Sequence, residues 1–248
     1  MFRDLEIWLN HFEYHAQHPR CIPAGLSDRL NSDEHRLIGR SLSAFQLGEQ
    51  CEGKTLLQTV LRYSEMHKAA QLVRIVELFI REQQRHASLL SAFMNDHRLP
   101  LKRTDWTDFV FCCLRRVGGF EYRLHLFVAV ELIASVYYRA LEVATGCQRL
   151  KVLCRTLVAD ELAHIGLQSQ LLLTLRARKT PAARGAIRWL HRAFFTATAG
   201  VVYLTHRPVL RVAGYDLGGF LRACASQYAF YLEPPVTCRE RTPSHEVR

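Results

Sequence analysis

Long apolar runs, paired cysteines at metal-finger spacing and strand-like alternation are all missing from this 248-residue chain, and each absence removes a class of protein. The longest uncharged stretch toward the carboxyl end, Ala193 to His206, falls short of the roughly 20 apolar residues a spanning helix needs, so no membrane span is expected. The eight cysteines (Cys21, Cys51, Cys112, Cys113, Cys147, Cys154, Cys224, Cys238) form no CxxC pair, and several stand inside apolar helical patterns. They read as buried reduced thiols rather than a zinc ribbon or a secreted disulfide framework. The amino terminus, MFRDLEIWLN, places Asp4 and Glu6 where an export signal needs basic and then purely apolar residues, so a cytoplasmic protein is expected. With 49% hydrophobic and 23% charged residues, disorder and collagen-like structure are excluded and a sizeable core is affordable, as one large or two small domains.

Punctuation is scarce as well, with only 8 prolines and 13 glycines, while apolar residues recur every three or four positions. The fold class is therefore all-α. Helices are expected within residues 2–18, from a cap at Ser32 toward Tyr63 with a bend near Gly53, from 68 to 97, from 105 to 116, and from Gly119 to Thr145. Others follow from 149 to 178, over 182–206 and over 216–231, and the tail EPPVTCRERTPSHEVR reads as disordered.

An amphipathic helix turns an apolar stripe inward, so a charged side chain set into that stripe is the anomaly to explain. Glu49 interrupts Leu42, Phe45, Leu56 and Val60; Glu131 sits amid Leu124, Val128, Ser135 and Tyr138. Gln83 and His86 lie within Leu72, Val76, Phe79, Leu90 and Phe93, in the motif EQQRH. Glu161 and His164 lie within Leu150, Cys154, Leu157, Gln168 and Leu171, in the motif DELAH. Isolated buried carboxylates cost several kcal/mol, a cost of order 10^0 to 10^1 that ligation of a shared cation offsets. Glu-x-x-His places both ligands on one helical face, and one Glu from each of two helices plus Glu-x-x-His from each of two others is the ligand set of the dinuclear carboxylate bundles; the order here is single, pair, single, pair.

In these motifs the chain resembles the ferritin-like di-iron carboxylate proteins, over roughly residues 35 to 175. That superfamily includes acyl-carrier-protein desaturases, ribonucleotide reductase small subunits, a tRNA hydroxylase and arylamine N-oxygenases, and EQQRH looks like the EExRH of its desaturase-type members. The resemblance implies a ferritin-like four-helix bundle with additional N- and C-terminal helices. It divides the chain into an N-terminal helix and linker (1–31), the bundle (32–180), C-terminal helices packing on it (181–232) and a tail (233–248). It further implies two iron ions, or iron and manganese, held by Glu49, His86, Glu131, Glu161 and His164, with Glu49, Glu131 and Glu161 as the catalytic carboxylates of an oxygen-dependent hydroxylation, desaturation or N-oxygenation. One position departs from the pattern: Gln83 stands where the family has a carboxylate, with Glu82 one residue before it. Either Gln83 or Glu82 could complete the metal set, and a site with a single metal, or none, is the alternative that this substitution opens.

Around these residues Arg85, Asp160 and Tyr138 are candidates to orient the ligands or donate hydrogen bonds, and His11, His15 and His18 share one helical face. The net charge of +10 is uneven: from Leu162 to Tyr215 no acid occurs. Arg184, Arg188 and Arg192 repeat every four residues beside Trp189 as a ridge suited to an anionic or carrier-tethered substrate, an acidic protein or a membrane surface. No nucleic-acid motif accompanies it. A monomer or homodimer is expected. The alternative function is a non-catalytic ferritin-like scaffold that docks an acidic partner through the arginine ridge.

Overall fold

A computed structural model describes residues 4–23, 25–26, 28–49, 53–101 and 118–233, except the side chains of residues 48, 49 and 54. Its elements are helices α1 (Leu5–Gln17), α2 (Ser32–Glu49), α3 (Lys54–His67), α4 (Ala70–Asp96), α5 (Phe120–Ala144), α6 (Gln148–Ala177), α7 (Pro181–Val212) and α8 (Leu217–Leu232). Among the described residues there is no strand, so the protein is all-α, and no helix is long and apolar enough to cross a membrane. The expected helix over 105–116 and the tail beyond Glu233 lie outside the described residues, as does the side chain of Glu49.

Local chemistry sets the boundaries, in places shifted from the sequence-based expectation. The cap of α2 is Asn31 rather than Ser32: its Oδ1 accepts from the backbone N–H of Asp33 (3.0 Å) and Glu34 (2.9 Å), while Glu34 reaches back to the Asn31 N–H at 2.9 Å. This reciprocal capping box satisfies backbone donors that open a helix. Glu34 also accepts from Thr145 Oγ1 at 3.0 Å and the Gly146 N–H at 2.5 Å, tying α2 to the turn between α5 and α6. The long helix expected from Ser32 toward Tyr63 is two helices, and at the start of α3 the ideal Cβ of Gly53 would lie 2.4 Å from Ile80 Cγ1, so only glycine lets the chain pass there against α4. Pro181 sits in the first turn of α7, where its missing N–H costs nothing, and Thr180 caps it by accepting from the Ala183 N–H at 3.3 Å. That helix runs to Val212, past its expected end at 206 and through Pro208.

The α5–α6 hairpin is the most extensive helix pairing, α4 packs on α2, α3 and α6, and α7 and α8 close over α5. The core is continuous, from Leu42 and Val60 through Leu90, Val128, Leu132 and Tyr137 to Leu157, Leu172 and Phe220. Helix α1 lies along α4, and its Trp8 ring comes so near Gly166 that a Cβ there would meet Trp8 Cη2 at 2.9 Å.

Near the far end of the α5–α6 hairpin, His125 and His191 face Arg176. Burial, then His191, Arg176 and Lys179, lowers the His125 pKa to about 2; burial, then Arg176, lowers that of His191 to about 4. Both rings are therefore neutral in the folded protein, and below about pH 6.5 they charge on unfolding. Because their folded pKa values are depressed, their contribution is present above 6.5 and is lost as pH falls from 6.5 toward 4. Each contributes a slope of at most about 1.4 kcal/mol per pH unit over that window. Chemical denaturation at pH 7.0 and 5.0 is expected to show a smaller loss of stability in His191→Gln than in the parent; equal losses would refute the assignment.

Candidate metal centre

The polar side chains anticipated on α4, α5 and α6 converge in the bundle interior. Each interrupts a buried stripe, so the 3-4 rhythm that packs Val76, Phe79 and Leu90 on α4, or Leu157 and Leu171 on α6, also aims the polar residues inward. Glu131, Glu161 and His164 present ligand atoms that all lie within 4.8 Å of one another, and all three are buried.

Glu161 is at the centre. Its Oε1 lies 3.1 Å from His86 Nδ1, its Oε2 lies 3.4 Å from His164 Nδ1, and Oε2 is buried without a hydrogen-bond partner. Burial pushes the Glu161 carboxyl up, but the charge and hydrogen bonds of His164 and His86 outweigh it and hold the group ionised. For His164 burial favours the neutral ring, yet Glu161, Glu82 and Glu131 raise its pKa well above the ordinary histidine value.

Each histidine keeps Nδ1 toward Glu161 and gives its outer nitrogen to a carboxylate on the other helix. His86 Nε2 of α4 lies 3.0 Å from Asp160 Oδ2 of α6, and His164 Nε2 of α6 lies 2.9 Å from Glu82 Oε2 of α4. The two motifs thus orient one another reciprocally: the residue before the inner position of each holds the histidine of the other. Glu82 is therefore the support of His164 rather than a member of the inner set. Asp160 also accepts from Arg20 and Arg85, and Arg85 lies 3.6 Å from Glu82 and donates to the Arg20 carbonyl at 3.0 Å. Burial works against the Asp160 anion, but His86, Arg85 and Arg20 overcome it and hold the carboxyl down at about 2. Glu82 is lowered likewise, its burial outweighed by His164.

Gln83 occupies the centre as a donor. Its Nε2 stands 3.3 Å from Glu131 Oε1, 3.3 Å from Glu161 Oε1 and 3.2 Å from His164 Nδ1. An amide nitrogen placed among three ligand atoms neutralises part of what a cation would. Two contributors carried no role in the sequence reading. Gln168 donates from Nε2 to Glu131 Oε2 at 2.8 Å; its place on the α6 stripe, four residues beyond His164, was the available signal. Arg20 comes from the segment after α1, which no periodicity links to α6.

Other candidates fall outside the cluster. Tyr138 is fully buried and its ring packs 5.5 Å from those of Phe45 and Tyr137. His18 stacks on Tyr14 at 4.5 Å, away from His11 and His15, whose rings lie 4.3 Å apart. His15, Glu82 and Asp160 also bring ligand atoms together, but Asp160 already accepts from two arginines and His86, and Arg20 lies 3.2 Å from His15 Nδ1. Burial first, then neighbouring positive charge, lowers both histidines, His11 to about 4. Phe12 of α1 and Phe79 of α4 pack their rings against His164, with ring centroids at 5.7 Å and 4.6 Å. On α7 Arg184, Arg188 and Arg192 are exposed beside Trp189, with Arg192 3.3 Å from Glu233.

No protein-family model, curated protein or solved structure matches the chain.

Proposed function

We propose that the protein is a ferritin-like non-haem metal oxidoreductase that holds two iron ions, or iron and manganese, unequally. The observation that carries this reading is the reciprocal carboxylate–histidine pairing: each Nε2 is given to Asp160 or Glu82, so each Nδ1 is left facing Glu161. Ligating histidines are oriented in this way, by a carboxylate on the nitrogen that does not ligate. The buried Oε2 of Glu161, which has no hydrogen bond and only the 3.4 Å contact to His164 Nδ1, likewise suits a cation better than a closed protein network.

In this reading Glu131, Glu161 and His164 hold one metal, while His86 and Glu161 hold the other, with Glu49 as the further ligand that the helix order suggests. Such a pair supplies the activation of dioxygen for hydroxylation, desaturation or N-oxygenation. The chain's own part is to keep both imidazoles in one tautomer through Asp160 and Glu82, to hold Glu131 through Gln168, and to exclude water with Phe12 and Phe79. Turning the Gln83 amide by half a turn would present its oxygen to the same centre, as a neutral ligand where a carboxylate would add a negative charge. The metal that Gln83 would face is therefore the weaker of the two, and it is the second to bind.

Anaerobic iron(II) titration of the parent and Gln83→Glu tests this. The parent is expected to bind one iron tightly and the second at least tenfold more weakly, and Gln83→Glu to tighten the second. No stoichiometric iron in either protein would sink the metal reading and favour the scaffold alternative, in which the exposed ridge of Arg184, Arg188 and Arg192 docks an acidic partner.

A further inference from the structure

Among the described residues Arg176 is a buried cation without an acidic partner. The residue is 6% exposed, and its described polar neighbours are imidazole and phenol groups: Nη2 lies 3.1 Å from His191 Nδ1 and 3.4 Å from His125 Nδ1, and Tyr228 Oη lies 3.1 Å from the same His191 nitrogen. His191 donates from Nε2 to the His125 carbonyl at 2.9 Å, which makes its Nδ1 an acceptor and the ring neutral. Arg176 Nε and His125 Nε2 are both buried with no hydrogen-bond partner. A guanidinium set among neutral rings, with donors left over, costs more than the surrounding packing returns, unless an anion completes it.

We propose that Arg176, with His125, forms a binding site for a carboxylate. One guanidinium among neutral histidines balances a single negative charge, and two unused N–H donors suit the two oxygens of a carboxylate; a phosphate dianion would leave a charge unpaired. The cluster lies at the end of α6, a turn before the half-buried pair of Lys179 and Glu121, 2.9 Å apart, which places it one layer beneath the surface. It also shares its helices with the candidate metal centre. His125 precedes Glu131 by six residues on α5 and Arg176 follows His164 by twelve on α6, so at the helical rise the two places are separated by about 9 to 18 Å. Resting on the oxidoreductase reading, this spacing assigns the substrate to carboxylic acids of medium or longer chain, anchored by the acid end.

Calorimetric titration of the metal-free full-length chain with octanoate tests the site without involving the metal, so failure of iron binding and failure of this site are distinguishable. Octanoate is expected to bind the parent at one site and to raise its melting temperature, while octanamide and inorganic phosphate bind at least tenfold more weakly. Arg176→Met is expected to melt higher than the parent without ligand, because an unpaired buried charge is gone, and to lose octanoate binding at least tenfold. Arg176→Lys, which keeps the charge but not the fork, is the second variant should the first fail to fold, and it too is expected to bind at least tenfold more weakly. No octanoate binding by the parent, equal binding of octanamide, or parent-like affinity in the folded variant would each overturn the proposal.

Discussion

Asp160→Ala is expected to destabilise the protein by about 3 to 5 kcal/mol, the range for removing one partner from a buried charged network. The Asp160 side chain is fully buried and accepts from His86, Arg85 and Arg20. The alanine variant takes from the buried His86 Nε2 the acceptor that Asp160 supplies, whereas Arg85 and Arg20, whose side chains are 24% and 40% exposed, can turn to water. The loss should therefore fall toward the lower end of the range. Asp160→Asn, which keeps an acceptor for His86 but not the charge, should lose less. Midpoints of guanidinium chloride unfolding decide the matter, and an alanine variant within about 0.5 kcal/mol of the parent, the spread of ordinary surface changes, would show that the network contributes nothing.

Glu161→Ala should abolish iron binding, with stoichiometry falling below one tenth of the parent value and the helical circular dichroism retained. Glu161 is the residue that both inward-facing imidazoles approach, and Gln83 as well, so on the proposed reading its removal would take a ligand from each metal position at once. Glu82→Ala is a sharp contrast. Glu82 touches His164 only at the outer nitrogen, so its loss should weaken iron binding by about 10- to 100-fold, the usual cost of deleting an orienting carboxylate, without eliminating it. Plasma mass spectrometry of protein loaded anaerobically with iron(II) reads both variants. Parent-like iron in Glu161→Ala would remove the carboxylate cluster from the account.

Secondary structure was legible wherever apolar periodicity was strong and punctuation clear. The helix ended by Gly146 and the one that stops before Pro181 were expected within a residue or two of where they lie, because glycine and proline constrain the backbone locally. Boundaries set by competition were not. Asn31 rather than Ser32 caps α2 because the cap needs Glu34 three residues later to answer it, and Pro208 fails to end α7. The inward position of Glu131, Glu161, His86 and His164 could likewise be read from the stripes, since a 3.6-residue period fixes which side chains share a face.

What the sequence by itself determined, then, is the all-α class, most helices and the polar residues that turn inward, all consequences of backbone geometry repeated along one chain segment. The tertiary structure decided their relations. That Asp160 holds His86 while Glu82 holds His164, that Gln83 Nε2 stands within 3.3 Å of three inner groups, and that Arg20 reaches Asp160 depends on the packing of α4 against α6 and the path of the segment after α1. The place of Arg176 among neutral rings is decided in the same way: an arginine in a run without acids is ordinary on a surface, and only burial between α5, α6, α7 and α8 leaves its charge without an acidic partner among the described residues.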